Sequence, residues 1–108
     1  PTVVIAIDDV VEQKYDALHQ HTSQMYEWLP FNKGILDEVP DSDADRRAWL
    51  FEQRKGRDME VAQRYRKKLI ERYGERRGRK VVFAEAFEGC EYGSALDEAQ
   101  VERLFKGM

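Results

Sequence analysis

Cysteine is nearly absent from this chain of 108 residues: Cys90 is the one thiol and has no second cysteine to pair with. An internal disulfide is therefore excluded, and a reducing, cytoplasmic setting is the simpler expectation. Histidine is almost as scarce, at two residues, His19 and His21. On a helix, positions i and i+2 point about 200° apart, so these two cannot share a metal ion there. No His-Glu-x-x-His, no His-Pro-Asp-Asp and no cysteine pair is present, so no metal site is expected within the chain. The glycines at 74, 78, 89 and 93 match neither a phosphate-binding loop nor a dinucleotide fingerprint. No apolar run approaches the roughly 20 residues of a membrane span. Internal repeats and low-complexity tracts are also lacking.

What is present suits one domain. Hydrophobic residues make up 42% of the chain, enough for a core that does not lean on disulfides. The sequence opens on Pro1 rather than Met and runs at once into the apolar stretch Thr2 to Ile7. A strand so placed is expected to belong to a longer protein. The net charge of −3 hides an asymmetry. Asp37 to Asp45 holds five carboxylates and no cation, whereas Val61 to Lys80 holds nine Arg or Lys against two Glu. The basic stretch could meet phosphate, but apolar residues interleave it at helical spacing, which favours a solvated helix face.

Val3 to Ile7 reads as a strand buried on both faces. Asp9 and Glu12 have the spacing of a capping box, and Val11, Tyr15 and Leu18 form the stripe of the helix that follows. Ser23 is placed to cap a second helical segment carrying Met25, Trp28 and Leu29, which Pro30 is expected to close. Residues 30 to 42 read as a loop pinned by Phe31, Ile35 and Leu36. Ser42 or Asp43 starts a long helix with Trp49, Leu50 and Phe51 inward and a break or kink at Gly56. Ala62, Tyr65, Leu69 and Tyr73 continue the stripe to Gly74, where a C-cap needs positive φ. Arg76 to Lys80 reads as a charged turn, Val81 to Ala84 as a second strand, and Gly89 to Gly93 as a loop. Asp97 caps a last helix whose Val101, Leu104 and Phe105 meet the core. The class expected is α+β, mostly helical with about two strands. Two strands alone make a poor sheet, which again suggests further strands elsewhere.

Few residues carry chemistry. Asp8-Asp9 is better explained by helix capping than by metal binding, and Cys90 has no base placed beside it in sequence. Two clusters are denser in polar groups than structure demands. His21-Thr22-Ser23-Gln24 lies at a helix end, where a simple junction with Ser23 capping is the competing explanation. In Ala84-Glu85-Ala86-Phe87, Glu85 leaves the end of an apolar strand, a place where α/β proteins form ligand crevices; neutralisation by a nearby arginine is the alternative.

In order along the chain come Asp8 or Asp9, Lys14, Ala17 and Leu18; then His21, Ser23 and Gln24 as His-x-Ser-Gln; then Trp28; then Ala84-Glu85-Ala86-Phe87, Glu91-Tyr92-Gly93, and a terminal Leu104-Phe105. This series resembles the C-terminal part of the PIG-L/LmbE-like de-N-acetylases, over about residues 3 to 106. The resemblance implies a zinc hydrolase that removes acetyl groups from N-acetylglucosaminyl compounds. It implies an α/β parent fold whose Rossmann-like N-terminal half, absent here, supplies the zinc ligands and the general base. No catalytic residue and no metal ligand is carried over to this chain. His21, Gln24 and Glu85 become candidates for the rim of the substrate site. The fragment alone is expected to be inert. Two other roles are open: a nonenzymatic module using the basic 61–80 helix against RNA or an acidic partner, and an oligomer interface anchored by exposed Trp28, Phe31 and Trp49.

Overall fold

The computed structural model describes residues 1, 3–90 and 93–108. The expected Glu91-Tyr92 element and Thr2 lie outside the described residues. Among the described residues the chain is α+β, 63% helical with one two-stranded antiparallel sheet. Its elements run β1 (Val3–Ala6), α1 (Val11–His19), a π-helical turn (Gln24–Trp28), α2 (Leu29–Asn32), a 3-10 turn (Leu36–Glu38), α3 (Asp43–Arg64), α4 (Arg66–Tyr73), α5 (Glu75–Lys80), β2 (Ala84–Phe87) and α6 (Glu98–Leu104). These form two compact units, Pro1–Asp9 with Arg57–Met108, and Val10–Gly56. No helix among the described residues is long and apolar enough to cross a membrane.

In the first unit β1 pairs with β2 in the register Val3↔Phe87 to Ala6↔Ala84. β-Branched Val3, Val4 and Ile5 leave less than a tenth of their surface exposed, as a strand covered on both faces requires. The second strand starts three residues later than expected. Val81 and Val82 have the stronger strand propensity, but other partners claim the segment. Val81 enters the core with Val4, Ala62, Leu69 and Ala84. The Val82 and Phe83 amides donate to the Asp8 carboxylate, the latter at 2.8 Å. Asp8 is thus a clasp between strands, and the residue before α1, Val10, makes no side-chain cap. This corrects the capping expectation for Asp8-Asp9.

α3 runs through Gly56 without a break; the interruption falls at Tyr65, which leaves helical geometry at φ −109°, ψ 30°. Tyr65 packs on the core beside Tyr73, so packing rather than glycine sets the break. Gly74 has φ +89° and ends α4, its amide bonding the Ile70 carbonyl at 2.8 Å. The charged turn expected over Arg76–Lys80 is instead α5. It folds back on α4 because Gly78 lacks a side chain: a Cβ there would lie 2.5 Å from the Ile70 Cα. Arg66 secures the same contact by donating to the Gly78 and Val81 carbonyls at 2.7 Å each. Asp97 caps α6 as expected, accepting the Gln100 amide at 2.9 Å. Phe105 meets Phe87 at 5.2 Å between ring centroids, but Leu104 is 60% exposed, not in the core.

In the second unit Val11, Tyr15, Tyr26 and Leu50 are buried, and Tyr15 meets Phe51 edge-on at 5.1 Å. Arg47 of α3 spans Glu12 and Asp16, one turn apart on α1, at 2.9 and 3.0 Å. Pro30 does not close its segment. In an α-helix its ring would strike the carbonyl four residues back, but the preceding turn is π-helical, with the Leu29 amide bonding the Gln24 carbonyl, and the wider turn accommodates the ring. The helix then ends in a Schellman motif at Gly34 (φ +71°): Ile35 N–H bonds Pro30 C=O at 2.9 Å and Gly34 N–H bonds Phe31 C=O at 3.0 Å. Of the three residues expected to pin the next loop, only Ile35 is half-buried; Phe31 is 69% and Leu36 46% exposed. Ser42 caps α3, its hydroxyl accepting the Asp45 amide at 3.2 Å.

The two helical glycines give opposite expectations. Gly78→Ala forces the α4–α5 contact apart and costs about 1–3 kcal/mol. Gly56→Ala, with nothing within 4 Å of the new Cβ, stabilises by about 0.5–1 kcal/mol. Urea unfolding of both variants checks the pair; equal effects would contradict the assigned packing.

Candidate functional site

The polar cluster of the second unit is built by the exit from α1. Gln20 and His21 close that helix, their amides bonding the Ala17 carbonyl at 3.2 Å and the Leu18 carbonyl at 3.0 Å. The chain becomes helical again at Thr22, and the His21 carbonyl accepts the Met25 amide at 2.9 Å. His21 and Gln24 are both exposed, one turn apart, and Gln24 opens the π-helical turn. Ser23 has helical geometry (φ −64°, ψ −36°) and makes no side-chain cap; the segment is a helix junction with Gln24 exposed, as the competing explanation expects, but without the Ser23 cap. Glu85, the third candidate, belongs to the first unit. It lies inside β2 opposite Ile5, half-buried, rather than leaving a strand end. That change follows from the later start of β2.

The histidine with the richest surroundings is His19. Its Nδ1 lies 2.5 Å from the Tyr26 hydroxyl and its Nε2 2.9 Å from Asp43 Oδ1. A neutral imidazole must place its proton on Nε2, because a bare Nε2 would face a carboxylate. Nδ1 then accepts from the Tyr26 O–H. Burial raises the Tyr26 pKa above its ordinary 10.0; Arg47 opposes that shift, Asp43 adds to it and Arg46 opposes it. The phenol therefore stays a donor. Asp43 is at the open end, with 94% of its side chain exposed, while His19 keeps 12% and Tyr26 2%. A carboxylate, an imidazole and a hydroxyl in line resemble a nucleophile relay, but the hydroxyl is the buried end. The line is a brace joining α1, the π-helical turn and the start of α3.

Sequence reasoning weighed His19 only as half of a metal pair with His21. His19 ends α1 and Tyr26 lies in the π-helical turn beyond the break at His21, so no single helical spacing announces the pair. Trp49 is half-buried against Tyr26 at 6.3 Å between rings and so is not exposed as expected; Trp28 (56%) and Phe31 (69%) are exposed.

In the first unit several cations of the basic stretch serve the fold itself. Arg66 holds Gly78 and Val81, Arg77 stacks on the Tyr73 ring at 4.4 Å, and Arg79 pairs with Glu75. Cys90 is exposed and free. Among the described residues no group of three His, Cys, Asp or Glu side chains is placed to hold a metal ion. The zinc implied by the resemblance has no fitting ligand set among them, and its ligands would have to come from elsewhere.

Tyr26→Phe removes the O–H that His19 Nδ1 accepts and should cost about 1–2 kcal/mol at neutral pH. In the unmutated chain the Tyr26 contribution is fully present below pH 10.0 and is lost as pH rises through the raised folded pKa, because the unfolded phenol ionises first. Urea unfolding at pH 7 and about pH 10.5 should show a smaller alkaline loss for the variant. An equal loss would mean that Tyr26 does not carry it. In comparison with known proteins, no family model, no curated protein and no solved structure matches the chain.

Proposed function

We propose that this chain is the C-terminal, substrate-shaping part of a cytoplasmic zinc-dependent de-N-acetylase acting on N-acetylglucosaminyl compounds. The observation that carries the reading is the ordered series of Lys14, Ala17 and Leu18, His21-x-Ser23-Gln24, Trp28 and Ala84-Glu85-Ala86-Phe87. The resemblance it supports entails a parent of α/β class, with a Rossmann-like N-terminal half as the partner of this chain. That half would bring the metal ligands and the base. Bound zinc supplies a polarised amide carbonyl and an acidified water. The residues of this chain bind and orient the sugar. The Gln24 carboxamide can both donate to and accept from sugar hydroxyls, and the His21 imidazole can do the same through its two nitrogens. The exposure of His21 and Gln24 supports the reading. So does the π-helical turn that begins at Gln24, since such turns are costly and concentrate at functional sites. Exposed Trp28 and Phe31 offer anchors for a homo-oligomer.

The test is acetate release from an N-acetylglucosamine derivative by the longer protein that contains this chain, loaded with zinc. Release is expected there, and none from the 108-residue chain. His21→Ala or Gln24→Ala should lower kcat/KM about tenfold with zinc content unchanged. A zinc-loaded longer protein that releases no acetate from any such derivative contradicts the reading.

A further inference from the structure

The fold uses the cations of the basic stretch unevenly. Arg66 bonds two carbonyls, Arg72 reaches the carbonyls of Phe105 and Met108, and Arg79 pairs with Glu75. Arg76 and Lys80 are exposed, and among the described residues neither has an acidic partner. With Arg77 they follow an i, i+1, i+4 spacing on α5, so the three lie within an arc of about 100°. No carboxylate falls in that arc, and like charges one turn apart repel. The C-terminal end of the helix dipole offsets part of that repulsion. It calls for a basic last turn, but not for a hollow beside it.

A hollow of about 470 Å³ is there, lined by Tyr73, Gly74, Glu75, Arg76, Arg77 and Lys80. Gly74, at φ +89°, turns the chain so that α5 folds back on α4, which sets the cationic arc beside the Tyr73 ring. Tyr73 is the fixed wall, because its hydroxyl accepts the Ala6 amide of β1 at 3.0 Å. The Arg77 guanidinium lies over its ring at 4.4 Å, a contact that positions the charge without neutralising it. Glu75 is the single carboxylate of the lining, and Arg79, outside the lining, is its partner. The charges of Arg76, Arg77 and Lys80 are left to face the hollow unopposed.

We propose that this hollow binds a phosphate monoester, gripped by Arg76, Arg77 and Lys80. Two guanidiniums match the forked geometry of phosphate oxygens, and an ammonium adds a point charge. A terminal phosphate carries nearly two negative charges at neutral pH, so it suits this cluster better than a lone carboxylate. The volume is in the range of small-molecule sites. A nucleic-acid strand suits it less. Such strands stack their bases on open aromatic rings along a cationic track, and Tyr73 already has Arg72, at 5.6 Å, as well as Arg77 over its ring. This inference does not rest on the deacetylase reading.

The probe is glycerol 3-phosphate at millimolar concentration, titrated into the full 108-residue chain. The readout is the NMR signals of the backbone amides from Gly74 to Lys80 and of the Arg76 and Arg77 side chains. Saturable shifts confined to that segment are expected. Arg76→Gln combined with Lys80→Gln should weaken binding about tenfold while the rest of the spectrum, and so the fold, stays as it is. Lys106→Gln, at an exposed cation elsewhere, should leave binding unchanged. Vesicles carrying phosphatidic acid present the same group on a lipid. Tighter binding to them than to glycerol 3-phosphate assigns the phosphate to a membrane surface, and equal or weaker binding assigns it to a soluble ester. The proposal is overturned if sodium chloride at equal ionic strength gives the same shifts, or if the double variant binds as tightly. It is equally overturned if a uridine oligonucleotide without a terminal phosphate binds and glycerol 3-phosphate does not, which would mark a phosphodiester track.

Discussion

The first unit depends on one carboxylate at the end of β1. Asp8 accepts the amides of Val82 and Phe83, taking the Phe83 donor that a continuing ladder would give to Ile7. It thereby fixes where β2 begins and which of its residues face β1. The pairing joins residues from opposite ends of the chain, a closure that is slow and entropically costly unless something holds it. Two charge-assisted bonds to consecutive amides do so. Val81 then lies in the core beside Val4 and Leu69, and its carbonyl becomes an acceptor for Arg66. The α4–α5 contact at Gly78 shares that arginine, so the clasp and the helix pair are linked through one side chain.

The second unit solves a different problem, that of presenting polar residues at a helix junction without losing order. The π-helical turn makes room for Pro30 and leaves Gln24 exposed. The wider turn is poorer in packing, and the His19 brace offsets this by tying Tyr26 to α1 and to Asp43. Hydrogen-bonded polar groups of this kind, buried at the Tyr26 end and open at Asp43, specify one arrangement more than they add stability.

Where local chemistry decides structure, the sequence was readable. The apolar run of β1, the Ser42 and Asp97 caps and the positive φ of Gly74 all follow from residue type and spacing. Where tertiary contacts decide, it was not. Val81 and Val82 look more like a strand than Ala84-Glu85-Ala86-Phe87, but Asp8 claims the amides of residues 82 and 83. Gly78 reads as a turn residue, whereas its role is to let Ile70 approach. Gly56 reads as a hinge and is simply tolerated within α3. The candidate rim rests on residue types in order alone; His21 and Gln24 are exposed, and Glu85 lies inside β2 rather than at a strand end. The His19 brace escaped notice because its third member, Asp43, is distant in sequence.

Hydrogen exchange of the Asp8→Ala variant tests the account at its centre. If the clasp fixes the strand pairing, the Val82, Phe83 and Ile7 amides should lose protection together, by about tenfold or more. Amides of α1 in the second unit should change little. Protection at Ile7 and Phe83 equal to that of the unmutated chain would show that the sheet holds its register without Asp8, and would contradict the account.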